Sequence, residues 1–241
     1  MMQTPKQARV RQLALALLVG LLVLTPNLFS KTTKAAPDID LVLLLALDVS
    51  ASVDASEYKL MTDGLASALG SPEVAKAVGS GPSGAIAIAV MQWSGFQEQE
   101  VKITWTRVSS PADLANLAMK VRAMPRRYKG GATDIGGAIK FSRDQVLSAP
   151  FSAARKTIDM AGDGANNVNE NPEIERDLSV QAGIIINGLA IVGQALPLVR
   201  YYTYFVIGGP AAFVEEARDY DSFGTAMRRK LVREIGGQLL F

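Results

Sequence analysis

The 241-residue chain contains no histidine and no cysteine. Without imidazole there is no histidine general base, no Ser-His-Asp triad and no histidine-ligated zinc. Without a thiol there is no thiolate metal site, no cysteine nucleophile, no disulfide and no lipoprotein-type lipid anchor. Any metal bound here must be a hard cation held by oxygen, which means Mg²⁺, Ca²⁺ or Mn²⁺, with Mg²⁺ the first choice. Low-complexity tracts and internal repeats are also missing, and Gly and Pro occur as loop punctuation. Nor is there a phosphate-binding fingerprint. Gly130-Gly131 lacks the lysine and serine of a P-loop, and no G-x-G-x-x-G opens a helix after the first strand.

What is present begins with a leader. Lys6, Arg9 and Arg11 form a positive segment with no acidic residue nearby, and Leu13 to Leu24 is an unbroken apolar run closed by Pro26. That run suits the core of a signal peptide, whereas a membrane span needs about 20 residues. Thr33 and Ala35 fit the small-residue cleavage rule and place processing near Ala35. Residues 1–36 therefore read as a signal peptide, or an uncleaved anchor, and residues 37–241 as one domain that is exported to the periplasm or secreted. The leader holds five cations and no anion, leaving 20 Lys+Arg against 23 Asp+Glu, a net of −3. The basic character of the full chain belongs to the leader and does not argue for nucleic acid. Contact with a membrane is expected only through that leader.

Hydrophobic patterning points to a doubly wound, mostly parallel α/β sheet with helices on both faces and one antiparallel edge strand. Ile39–Leu47 and Ala85–Trp93 are continuous apolar runs, as in strands buried on both sides. Glu100–Val108 alternates, with Val101, Ile103, Trp105 and Arg107 on one face, as at a sheet edge. Asp54-Ala-Ser-Glu57 is a capping box opening a helix, and Ser110-Pro111 opens another. Lys156–Ala161 and Asn187–Val192 are further strands, and a short one is expected within Ala212–Ala217. Helices are expected after Thr133, near Ile174–Ala182, and from about Ser222 to Glu234; Tyr201–Ile207 is ambiguous.

Chemistry concentrates at strand ends. Asp48 follows the first buried strand, with Ser50 and Ser52 two and four positions on. Thr133 follows Gly130-Gly131-Ala132, and Asp163-Gly164 follows a later strand. Open α/β sheets bind ligands outside the carboxyl ends of their strands. Two carboxylates brought together there repel and lose solvation; a divalent cation cancels both costs, and hydroxyls add coordination without charge. A lone D-x-S-x-S occurs by chance in about one chain in twenty, so the order of three elements carries the signal. The bland alternatives are a helix-opening turn at Asp48 and Ser52, an N-cap at Thr133 and a D-G turn at Asp163. Asp134, beside Thr133, reads as a helix cap.

Asp48-x-Ser50-x-Ser52, Gly-Gly-x-Thr133 and Asp163-Gly164 together resemble the metal-ion-dependent adhesion site, or MIDAS, of von Willebrand factor type A (VWA) domains. The resemblance covers roughly residues 38–235. It implies that Ser50 and Ser52 ligate the cation directly, with Asp48, Thr133 and Asp163 acting directly or through water. Ile207-Gly208-Gly209-Pro210 and Arg228-Arg229-Lys230-Leu231 resemble exported bacterial type A-like proteins of undetermined function, which supply no ligand.

Three functions fit this pattern. The first is a non-catalytic interaction module whose cation is completed by an Asp or Glu of a protein partner. The second is a metal-dependent hydrolase of phosphate esters using the same carboxylates; against it, no second acidic residue stands two positions after Asp48. The third is a structural scaffold in an envelope assembly. Elsewhere, Arg126, Arg127 and Lys129 read as a solvated helix end, and Arg228, Arg229, Lys230 and Arg233 as surface cations suited to the helix dipole. Trp93 and Trp105 read as core, and Phe96 as a partner-facing aromatic.

Overall fold

The computed structural model describes residues 38–168, 171–193 and 197–237, all within the compact unit Pro37–Phe241. The expected leader, residues 1–36, and Asn169 lie outside the described residues. Elements run β1 (Ile39–Asp48), α1 (Ala55–Leu69), α2 (Pro72–Gly79), β2 (Ile86–Trp93), β3 (Gln99–Val108) and α3 (Pro111–Arg122). They continue with α4 (Ile135–Leu147), β4 (Ala153–Gly162), α5 (Pro172–Gln181), β5 (Ile185–Ile191) and the short α6 (Leu198–Tyr201). A π-helical turn (Tyr202–Val206), β6 (Val214–Ala217) and α7 (Tyr220–Ile235) complete the described chain.

The expected sheet is there. Its order is β3-β2-β1-β4-β5-β6, with β2 and β3 antiparallel and the other neighbours parallel. The winding runs outward from β1 in both directions, so the switch point lies where β1 and β4 end side by side. There Leu47 pairs with Ala161. All ten residues of β1 are buried, because helices cover both faces. Leu41, Leu43, Leu45 and Leu47 pack with α1, α2, α3 and α7; Val42, Leu44 and Ala46 pack with α4, α6 and the π-turn. Each leucine so buried contributes about 2 kcal/mol, enough to fix which way the strand faces.

Several local expectations hold. Asp54 and Glu57 form the capping box of α1, Asp134 caps α4 by accepting from the Gly137 amide at 2.9 Å, and Trp93 is fully buried. Others need correction. The alternation in β3 is broken, since register shifts lie between Ile88 and Val90 and between Val90 and Met91 of its partner. Ile103 therefore joins one core, while Val101 and Trp105, both only part-buried, pack against the other. Each extra residue in a bulge reverses which side chains face inward. The ambiguous segment Tyr201–Ile207 is the end of α6 and the π-turn. The helix α2, capped by Ser71 with Pro72 at its first turn and burying Val74, Ala77 and Val78 at helical spacing, is not among the expected elements.

The surface reading of Lys230 is also overturned: it is fully buried. Its ammonium lies 2.7 Å from Asp159 Oδ1 and 2.5 Å from Glu234 Oε1. Asn187 donates to the same Glu234 oxygen at 2.8 Å. Burial pushes both carboxyls up, Glu234 to about 7. Among the described residues, no helix is long and apolar enough to cross a membrane.

Candidate metal centre

The site is assembled by the loops that leave the carboxyl ends of β1 and β4 and by the glycine loop that joins α3 to α4. The Val49 amide donates to the Trp93 carbonyl at 2.9 Å, extending the sheet pairing one residue past β1. Ala51 then donates to the Gly131 carbonyl at 3.2 Å, which ties the serine loop to the glycine loop. Gly131 has φ 140°, and a Cβ there would lie 2.6 Å from Ser94 Oγ and 2.5 Å from Glu98 Oε2. Only glycine fits that approach.

All five oxygen residues picked out from the sequence converge. Asp48 is fully buried, and its Oδ1 accepts the Ser50 amide at 2.8 Å. Ser50 Oγ lies 3.3 Å from Ser52 Oγ and 3.4 Å from Thr133 Oγ1. Ser52 Oγ donates to Asp163 Oδ1 at 2.7 Å. The set is graded: Asp48, Ser50 and Thr133 form a buried floor, Asp163 is half-buried and Ser52 is exposed. The bland alternatives fail for two residues. Asp54, not Ser52, caps α1, and Asp134, not Thr133, caps α4, so both hydroxyls are left to face the cluster.

The electrostatics of this floor are unfavourable as it stands. Asp48 Oδ2 is buried with no hydrogen-bond partner among the described residues. Burial and the nearby Asp163 carboxylate push the Asp48 carboxyl up to about 7. The Tyr202 hydroxyl is likewise buried and unpartnered. Both atoms crowd the bare Cα of Gly162, where a Cβ would lie 2.6 Å from the Tyr202 hydroxyl and 2.9 Å from Asp48 Oδ2. Among the described residues no three carboxylates group together; this is a set of two carboxylates and three hydroxyls. Such a set suits a hard divalent cation, which would offset the charge on Asp48 and leave room for an outside oxygen.

Supporting residues were not visible in the sequence. Arg126, read as part of a solvated helix end, instead braces the serine loop: its Nη2 donates to the Val49 and Ser50 carbonyls, each at 3.0 Å. Asn167 Oδ1 accepts the Thr133 amide at 2.7 Å, and Asn166 Oδ1 accepts the Ile135 amide at 2.8 Å. The asparagine-rich loop after β4 thus holds the threonine in place; its composition was the available signal. Tyr220 donates to Asp163 Oδ2 at 3.0 Å, and nothing in the sequence marked it. Phe96 is 63% exposed, as expected of a surface aromatic.

Solved structures share this fold. Proximal thread matrix protein 1 from the mussel byssus matches with a TM-score of 0.62 and 20% identity, covering 83% of this chain and 49% of that one. That protein has also been solved with a zinc-occupied MIDAS motif. A von Willebrand factor type A protein from Catenulispora acidiphila matches at 0.56 and 17%, covering 82% and 43%. The pilus adhesin SpaC from Lactobacillus rhamnosus GG matches at 0.57 and 11%, covering 82% and 31%. The chain thus spans about half the length of these relatives or less, and has their VWA-like α/β fold. Among curated proteins none matches. One family profile covers residues 38–239, and the chain belongs to that family, described as "Protein of unknown function (DUF1194)".

Proposed function

We propose that the chain is an exported, non-enzymatic protein-binding module. In this reading Asp48, Ser50, Ser52, Thr133 and Asp163 hold one divalent cation, Mg²⁺ before Ca²⁺ or Mn²⁺. The single observation that carries it is the orphaned, buried Asp48 Oδ2 beside three converging hydroxyls. A buried carboxylate without a partner is costly, and a cation is the group that these oxygens fit. When bound, the cation would supply an electrophilic position that a partner's Asp or Glu completes. The chain's own residues then divide the work: Arg126 and Asn167 hold the two loops, Tyr220 orients Asp163, and the exposed Ser52 marks the open side. A pilus adhesin and a byssal matrix protein of the same fold, the latter with zinc in its MIDAS, support an interaction role. Residues 1–36 are proposed as the export leader.

Calorimetric titration with Mg²⁺, Ca²⁺, Mn²⁺ and Zn²⁺ tests the site. One cation per chain is expected, and thermal stability should rise by about 2.7 kcal/mol at a hundredfold excess over Kd. Asp48→Asn should abolish the heat. It should also stabilise the metal-free protein by about 1–3 kcal/mol, because a buried charge is removed while the shape is kept. Unchanged metal binding in Asp48→Asn refutes the ligand set; no heat and no shift in the parent protein leaves only a scaffold.

A further inference from the structure

A cleft of about 410 Å³ opens directly beside Asp163. One wall is the loop after β4; the other is α6 and the π-turn, carrying Leu198, Arg200, Tyr201, Tyr204 and Phe205. The π-turn is what makes this wall aromatic. Tyr202 and Val206 point into the core, and the wider turn leaves Tyr204 61% and Phe205 37% exposed. Such turns are rare and recur at functional sites.

The wall is held from behind rather than left loose. Arg176 on α5 donates to the Tyr204 carbonyl at 2.7 Å. The Tyr201 hydroxyl accepts the Asn166 amide at 3.2 Å, tying the wall to the loop that carries Asp163. The rings of Tyr201 and Phe205 pack with centroids 4.9 Å apart. Aromatic side chains fixed in this way lose little freedom on binding, which is the property of interface anchors. Arg200 stands exposed at the rim with its guanidinium 5.9 Å from the Tyr204 ring centre. Among the described residues it pairs with no carboxylate, so it sets one uncompensated cation on this side of the cleft, across from Asp163.

The geometry points to one occupant: a large apolar, preferably aromatic, side chain adjacent to the carboxylate that the partner gives to the cation. We infer that the partner presents an acidic segment in which Asp or Glu is flanked by such a residue. Continuity carries the inference, because Asp163 belongs to both the oxygen cluster and the cleft. Arg200 adds charge complementarity to an acidic segment. This inference rests on the proposed cation site.

Three capped peptides test it against the full chain in Mg²⁺ and in EDTA: Gly-Gly-Asp-Gly-Gly, Gly-Phe-Asp-Phe-Gly and Gly-Phe-Asn-Phe-Gly. The phenylalanine-flanked Asp peptide should bind about tenfold more tightly than the glycine one, and the Asn peptide should not bind. Tyr204→Ala with Phe205→Ala should erase that gain while leaving Mg²⁺ and the glycine peptide unaffected. Both rings are surface-exposed, so folding should survive. Arg200→Glu should weaken both Asp peptides. Equal affinity of the two Asp peptides, or a gain that persists in the double variant, overturns the cleft assignment alone. Mg²⁺ binding with no Asp peptide bound, or Asp binding unchanged in EDTA, sinks the carboxylate-completion reading and the cleft with it. A dimer in sedimentation that the double variant dissociates assigns the cleft to a second copy and also overturns the inference.

Discussion

The Tyr220 hydroxyl donates to Asp163 Oδ2 at 3.0 Å, while Ser52 donates to the other oxygen of the same carboxylate at 2.7 Å. Asp163 is therefore gripped from both sides, by the first residue of α7 and by the serine loop. Burial and the neighbouring carboxylates Asp163 and Asp48 push the Tyr220 hydroxyl far above its ordinary value, so it remains a donor at any working pH. Removing it frees one carboxylate oxygen to turn away. Tyr220→Phe should raise the Mg²⁺ Kd about tenfold, the lower end for losing an outer-sphere hydrogen bond. The phenyl ring keeps its packing, so thermal unfolding in EDTA should shift by only a few degrees. Titration calorimetry on both proteins decides; an unchanged Kd removes Tyr220 from the site.

Arg126 acts on the serine loop. Its Nη2 bonds to the Val49 and Ser50 carbonyls, and its Nε donates to the Tyr128 carbonyl at 2.6 Å. No other side chain supplies this planar fork, and lysine could not reproduce it. Arg126→Lys should weaken Mg²⁺ binding about as much as Arg126→Ala, within threefold, each by roughly tenfold relative to the parent. A lysine variant that binds normally would mean that charge alone, not the fork, matters.

These two residues mark the limit of what the sequence makes legible. The oxygen cluster is readable because Asp48 and Asp163 each follow a buried strand and Thr133 follows a glycine pair, and core packing alone does not place an Asp at the end of a buried strand. The sheet is readable for the same reason: β1 and β2 are continuous apolar blocks of parallel-sheet type. Residues that act through backbone carbonyls leave no such trace. An arginine bonded to two carbonyls looks in sequence like any surface arginine. Lys230 is equally hard to tell from a surface cation, since its partner Asp159 lies 71 positions away on β4. The bulges in β3 are hidden because a bulge changes facing without changing composition.

The crossing of α1 and α7 supplies a stability prediction. Gly64 and Gly224 meet there: a Cβ on Gly64 would lie 3.0 Å from the Gly224 Cα, the Gly224 N and the Phe223 ring. Two of those atoms are backbone and the third belongs to a fully buried ring, so nothing near can yield cheaply. Gly64→Ala should lower stability by about 1–3 kcal/mol despite alanine's better helix propensity. Gly79, at the end of α2, would place its Cβ in open space, and Gly79→Ala should instead gain a few tenths to about 1 kcal/mol. Urea midpoints of the two variants should move in opposite directions; a stabilised Gly64→Ala would show that the helices can part.

Glu234 gives the pH dependence. The groups facing it are Lys230, Asp159 and Asn187, with Arg155 bonded to its backbone carbonyl at 2.7 Å. Two carboxylates against one ammonium leave an excess negative charge in the core, and burial raises Glu234 from its ordinary 4.5 to about 7. Between those values the folded chain holds more protons than the unfolded chain. Stability must therefore fall as pH rises through this window, with no loss below it and the full loss above it. The loss is on the order of 3 kcal/mol. Asp48 and Asp159 are raised by the same physics and add their own decline, so the test is a difference. In EDTA, urea midpoints measured from pH 4.5 to 8 should fall more steeply for the parent than for Glu234→Gln. The glutamine keeps an oxygen for Asn187 and Lys230 but has no proton to lose. Parallel curves would mean that Lys230 already holds Glu234 ionised across the whole range, its attraction outweighing the cost of burial.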